Sequence, residues 1–488
     1  MVTVSAVHMT ELTAVTKHIY KYKFENFLIS LNPGDLPEAR HLSIDFVRMY
    51  ANRISEHFSA HPPTTIKNKK SFEYKSDIYG ITIKSNTPKG VIARAKCKKF
   101  WTRSIEKKTN EDRLHHEARN QIVGEQKNKK GISNNPTQLY CSDKTLKRIT
   151  EKTDRNKKHL SKLAVTNIKT GETKSLLEIA IKNEENRASE MYHIIKNLEH
   201  LADENGFNWL FITLTAPAEY HPNPAKGKRR YNYQLGINAS HEYINTKWGQ
   251  IQSVLSRRKI PASPESYFGV RTVEPHKDGS MHWHLLLFAK GTLVESIIGA
   301  IREKFNTEAS AKIVIGKDHE EKGSAKAASY IYKYISKTLS KKEQTQYQKD
   351  DIGDDAREES DLASIRYKDR VQASIKAIGA RQYQPIGVKR LTTMYRKINK
   401  LKMDKLDIPP GGLPAFIKEK IWRNQLGFYH MLKNIEPFQK GGEIRLVTEP
   451  SLNSYDEPTK RVIAIKIGSM VISTESEYKI ERIRHMKS

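Results

Sequence analysis

Asp278-Gly279, set in the turn Lys277-Asp278-Gly279-Ser280 between two runs of apolar and β-branched residues, constrains the fold more than any other stretch. Residues 268–275 read as one strand and residues 281–288 as its return, so a β-hairpin is expected here. Successive strand side chains point to opposite faces, which sends His282 and His284 to one side and Trp283 to the other. With the turn centred on Asp278 or Gly279, Glu274 falls opposite His282 or His284. Paired residues of an antiparallel ladder share a face, so either register sets the Glu274 carboxylate beside both imidazoles. The outcome is a three-ligand, open metal site. His276 has the same parity and could replace or supplement Glu274.

Two histidines and one carboxylate leave coordination positions free for a substrate oxygen, as Lewis-acid catalysis requires. The mixed nitrogen and oxygen set suits Mg²⁺, Mn²⁺ or Zn²⁺. The competing reading is a pair of structural histidines on a solvated strand. A second element weighs against it. Residues 324–339 read as a helix with Tyr330 and Tyr334 at i and i+4, on one face, and Lys326, Lys333 and Lys337 on or beside it. A tyrosine hydroxyl is a weak nucleophile at neutral pH, with a pKa of about 10. It can attack a phosphodiester when a metal polarises the phosphate and cations hold its charge. Two tyrosines on one face permit two successive strand transfers. Tyr332 lies about 200° round the helix from Tyr330 and is expected to be structural.

These motifs resemble the phage replication gene A proteins, rolling-circle initiators of the HUH endonuclease superfamily. Gly269-Val270-Arg271, Glu274-Pro275-His276, Asp278-Gly279 and His282-Trp283-His284 are similar to that family's metal motif. The stretch Tyr330-Ile331-Tyr332-Lys333-Tyr334 resembles its two-tyrosine motif. Phe211-Ile212-Thr213-Leu214-Thr215, followed by Tyr220-His221-Pro222, resembles its upstream strand. The one departure is Tyr332, where a small residue is expected. The resemblance implies a metal-dependent, site-specific DNA endonuclease and strand transferase. Its metal, Mg²⁺ or Mn²⁺, would be held by Glu274, His282 and His284; its catalytic residues would be Tyr330 and Tyr334, with Lys333 stabilising phosphate. The implied partners are single-stranded or supercoiled origin DNA and a host helicase and polymerase. A relaxase or transposase of the same superfamily and a non-catalytic DNA-binding replication factor are the alternatives.

Composition agrees with a nucleic-acid partner: 85 Lys and Arg stand against 55 Asp and Glu, a formal charge of +30. Two cysteines, Cys97 and Cys141, exclude a disulfide framework and a cysteine-based zinc module. No stretch approaches the ~20 apolar residues of a membrane span, so a cytoplasmic protein is expected.

The expected fold is α+β, a central HUH-type antiparallel sheet with helices against one face. It would be flanked by a basic, mainly helical N-terminal region and a small β-containing C-terminal region. Residues 1–65 carry no recognisable motif. Residues 66–205 form a basic region in which Lys96-Cys97-Lys98-Lys99-Phe100-Trp101 is either a solvated face or a DNA contact with Phe100 and Trp101 stacking on bases. Residues 206–340 would be the catalytic domain, 341–365 a polar linker, 366–408 a basic helical extension and 409–488 a C-terminal subdomain.

Overall fold

The computed structural model describes residues 38–69, 71–119, 138–168, 170–223, 230–316, 331, 361–388, 390–399, 444–468, 470–473 and 478–483. The chain forms two compact units, Met1–Arg113 with Pro450–Lys460, and Leu114–Glu449 with Arg461–Ser488. The division falls inside the stretch 66–205 that the sequence presents as one basic region.

In the first unit, helix α1 (Ile44–Ala60) starts at Ser43, whose hydroxyl accepts the Phe46 N–H. Its stripe of Phe46, Tyr50, Ile54 and Phe58, spaced by four residues, is buried. Strands β1 (Lys67–Asn68), β2 (Phe72–Lys75) and β3 (Thr82–Ser85) form an antiparallel sheet, followed by α2 (Pro88–Ala95) and α3 (Lys98–Arg119). Trp101 on α3 is fully buried. It stacks on Phe58 with ring centroids 5.5 Å apart and planes at 4°, and its indole N–H donates to the Ala95 carbonyl at 2.7 Å. Of the two readings of this lysine-rich run, the one in which Trp101 stacks on DNA bases is therefore corrected: the apolar side of the helix is this unit's core. Arg94 grips the buried Glu457 with two contacts of 2.5 and 2.8 Å, and this holds the Glu457 carboxyl well below the usual carboxylate range.

The second unit is built on a five-stranded antiparallel sheet of β6 (Phe207–Thr215), β7 (Tyr267–Pro275), β8 (Met281–Lys290), β9 (Ala311–Gly316) and β10 (Tyr383–Ile386), in the order β10-β7-β8-β6-β9. One face carries Trp209, Phe211, Phe268, Val270, Leu286 and Phe288 against the apolar stripe of α5 (Leu176–Glu204). The other carries Leu210, Val273, Trp283 and Leu285 against α6 (Asn238–Arg257), α7 (Val294–Arg302) and α8 (Asp361–Ile378). Helices thus cover both faces, where the sequence suggested one, and every residue of β7 is buried. Burial on both sides explains why the central strands read as near-continuous apolar runs.

Helix α4 (Asp143–Leu160) is capped by Ser142, and two smaller antiparallel sheets accompany the main one in chain order. One joins β4 (Leu163–Asn167), β5 (Thr173–Ser175) and a late strand, β14 (Tyr478–Arg482). The other comprises β11 (Ile444–Leu452), β12 (Pro458–Ile467) and β13 (Met470–Ser473), the C-terminal strands expected from sequence. The fold is α+β with antiparallel sheets. Among the described residues no helix is long and apolar enough to cross a membrane. Residues 341–360, most of the expected linker, lie outside the described residues.

Candidate metal centre

The turn between β7 and β8 fixes the register. Gly279 adopts φ +84°, a conformation glycine reaches without Cβ strain. Asp278 Oδ1 accepts from the Ser280 N–H at 3.1 Å and from its hydroxyl at 2.6 Å. The hairpin therefore turns about Asp278, and Glu274 pairs directly with His282 while Thr272 pairs with His284. Of the two registers the sequence allowed, this is the one adopted.

Both imidazoles converge on a single oxygen. Glu274 Oε2 lies 3.0 Å from His284 Nε2 and 3.4 Å from His282 Nε2. Ligands at about 2.1 Å from a common ion stand roughly 3.0 Å apart in octahedral and 3.4 Å apart in tetrahedral geometry, so the donor spacing fits a small divalent cation. Among the described residues these three form the group whose donor atoms lie within 4.8 Å of one another. His276 is not part of that group. Its ring sits 4.0 Å from that of His282, and among the described residues His276 Nε2 and His282 Nδ1 are both buried with no hydrogen-bond partner. Burial first, then the neighbouring His282, holds the His276 pKa well below its ordinary value.

Two further contacts brace the site. Thr213 Oγ1 lies 3.0 Å from His284 Nδ1, and the Phe211 ring stacks on His284 with centroids 5.7 Å apart. With the Nδ1 proton given to Thr213, Nε2 is left to present its lone pair towards Glu274. His221 Nδ1 lies 2.9 Å from Ser280 Oγ and 3.4 Å from Asp278 Oδ2. Burial disfavours its charged form, but the hydrogen bond and charge of Asp278 outweigh this and raise its pKa. The residue following the upstream strand thereby ties down the hairpin turn. Sequence reasoning placed Thr213 on a strand whose threonines are expected to be structural or near DNA and His221 only within a motif, naming a partner for neither, and Lys312 escaped it altogether. Exposed Lys312 pairs with Thr213 across β9 and β6 and so shares the site's face. Tyr330, Lys333 and Tyr334 lie outside the described residues. Ile331 is described; it is helical, fully buried, and packed in the cluster with Phe211 and Leu286, on the sheet face that carries His284.

The bacteriophage replication gene A protein (GPA) family model matches residues 40–342, more than half of the chain. The chain belongs to this family. This gene A family member is 32% identical over 213 residues to the "Replication protein" of Haemophilus phage HP1, covering 41% of the chain and 26% of that relative. It is 25% identical over 406 residues to "Probable replication protein P12" of Pseudoalteromonas phage PM2, covering 78% and 58% respectively. It is 28% identical over 173 residues to a "Probable replication endonuclease from prophage-like region" of Salmonella paratyphi A, covering 32% and 20%. The chain thus spans between a fifth and three fifths of these relatives' lengths. No solved structure matches it.

Proposed function

We propose that this protein initiates rolling-circle replication as a metal-dependent, site-specific DNA endonuclease and strand transferase. The observation that carries the reading is the convergence of Glu274, His282 and His284 on one point of a rigid sheet, at spacings that suit a divalent ion. Their donor set suits Mg²⁺ or Mn²⁺. Such an ion, when bound, supplies Lewis-acid polarisation of a phosphate oxygen. Ile331, the residue after Tyr330 in sequence, is buried on the same sheet face.

In the proposed reaction the phenolic oxygen of Tyr330 or Tyr334 attacks phosphorus at the origin. A tyrosine O–P bond forms and the P–O3′ bond breaks. The phenolic proton leaves to solvent and the departing 3′ oxygen takes one up, giving a 5′-phosphotyrosine and a free 3′-hydroxyl for a polymerase to extend. The other tyrosine would cut the regenerated origin, and the released 3′-hydroxyl would attack the first linkage to rejoin the displaced strand. Lys333 would hold phosphate charge as a flexible point cation. The substrates are single-stranded or supercoiled origin DNA in the bacterial cytoplasm, with a host helicase and polymerase as partners. The names of the phage and prophage relatives support this assignment.

The test is a covalent-adduct assay. The protein is incubated with single-stranded DNA from its own gene region and Mn²⁺ or Mg²⁺, denatured, and examined for a protease-sensitive protein–DNA band. The expected band requires metal, maps to Tyr330 or Tyr334, and disappears in the Tyr330→Phe, Tyr334→Phe double variant. Undiminished nicking by that variant would remove the tyrosines from the mechanism, and tight DNA binding with no adduct would replace the enzyme with a binding protein.

A further inference from the structure

Behind the sheet, on the face opposite the metal centre, lies a cavity of about 720 Å³ between α6, β10 and the start of α9 (Leu391–Asn399). Its back wall is Arg271 of β7, a residue only 7% exposed. The Arg271 guanidinium stacks on the Trp283 ring at 3.9 Å, and its Nη2 donates to Gln384 Oε1 at 2.7 Å. Its Nη1 is buried with no hydrogen-bond partner among the described residues. A buried, unpaired guanidinium nitrogen is costly unless something else meets it. Arg381 and Arg390 also line the cavity, and none of the described lining residues is acidic. Burial, and then the positive charge of Arg381, push the Arg271 pKa down to about 10. Arg271 is still a cation at neutral pH, close enough to Arg381 to feel its charge, and no carboxylate is among the described residues that line the cavity.

The remaining walls suit one kind of anion. Leu391, Thr392 and Thr393, the first turn of α9, open on the cavity; that turn has no acidic residue, and the first N–H groups of a helix, which lack intrahelical partners, favour negative charge. Asn245 and Gln252 of α6 add amide groups that can read the edge of a base. The volume lies within the roughly 300–1,000 Å³ typical of small-molecule sites.

We infer that this cavity is a nucleotide-binding site, separate from the metal centre, in which Arg271, Arg381, Arg390 and the α9 N-terminus hold phosphate while Asn245 and Gln252 meet the base. The ligand is a phosphorylated nucleoside, supplied either as one unit of a bound DNA strand or as a free nucleotide.

Calorimetric titration of the full chain, with EDTA present to empty the metal centre, tests this. The probes are thymidine 3′,5′-bisphosphate, thymidine triphosphate, unphosphorylated thymidine and inorganic phosphate. One saturable site is expected for at least one of the two nucleotides, with thymidine silent and inorganic phosphate at least tenfold weaker. Arg381 and Arg390 are exposed, so the Arg381→Ala, Arg390→Ala variant should keep the wild-type melting temperature and lose at least tenfold in nucleotide affinity. Preference for the bisphosphate identifies a strand as the source, and preference for the triphosphate identifies a free nucleotide. Absence of saturable binding by both nucleotides, equal binding of inorganic phosphate, or affinity unchanged in the folded variant would overturn the assignment.

Discussion

Replacing Glu274 by glutamine keeps the shape of the side chain and removes its charge, so it isolates what the carboxylate contributes to metal binding. Glu274 Oε2 stands 3.0 Å from His284 Nε2 in a pocket where Glu274 is 5% exposed. Glu274 supplies the one negative charge among the three donors, and since loss of even an outer hydrogen-bond partner lowers metal affinity about 10–100-fold, loss of this charge should cost on the order of 2–3 kcal/mol, about a hundredfold in affinity. With the ion at a hundred times the wild-type Kd, linkage stabilises the native state by about 2.7 kcal/mol; in a variant binding a hundredfold more weakly the gain falls to about 0.4 kcal/mol.

The assay is thermal unfolding of wild type and Glu274→Gln with and without Mn²⁺, paired with calorimetric titration. Without metal the two proteins should melt within about 1 kcal/mol of each other, because an amide can still meet both imidazoles. With metal only the wild type should gain several degrees. A Glu274→Gln protein that keeps both the Mn²⁺-induced shift and a Kd within threefold of wild type would show that the carboxylate is not a ligand, and the spacing argument would fail.

Thr213→Val removes the partner of His284 Nδ1 at 3.0 Å; metal affinity should fall about tenfold and stability by about 1–2 kcal/mol, read by the same titration and melts. Trp101→Ala should cost about 3–5 kcal/mol in urea unfolding of the first unit, since the indole is fully buried on Phe58, and weakened DNA binding without destabilisation would contradict that burial. His241 accepts the Trp283 indole N–H at 3.1 Å, and burial followed by the charge of Arg271 lowers its pKa to about 4. Below about pH 6.5 the unfolded chain binds a proton that folded His241 refuses, so stability falls as pH drops from 6.5 towards 4, by roughly 3 kcal/mol from this residue. His241→Asn should flatten that slope by about one proton in pH-dependent unfolding.

The hairpin and the identity of its ligands were legible because strand alternation and a two-residue turn signal act locally. Glu274, His282 and His284 needed only parity to be grouped. What parity left open, the choice of register, is decided by the Ser280 contacts to Asp278. Thr213 was not assignable, because its bond to His284 spans 71 residues and depends on β6 lying beside β8. The same holds for Arg271, whose partner Gln384 is 113 residues away on a strand that propensity did not reveal. Trp101 shows the opposite failure. An aromatic among lysines looks like a nucleic-acid contact by composition, yet Trp101 and Ile105, four residues apart, form the buried stripe of α3.

The alternation that groups the metal ligands also couples the two faces of the sheet. On β8, His282 and His284 point forward and Trp283, between them, points back; on β7, Glu274 points forward and Arg271 back. Trp283 is fully buried, held by the His241 hydrogen bond on one side and by the Arg271 guanidinium at 3.9 Å on the other. An anion held by Arg271 would sit one side chain away from Trp283, the residue that stands between the two imidazoles. Front and back of the hairpin are two uses of the same four-residue span, 271–274, laid against 282–284.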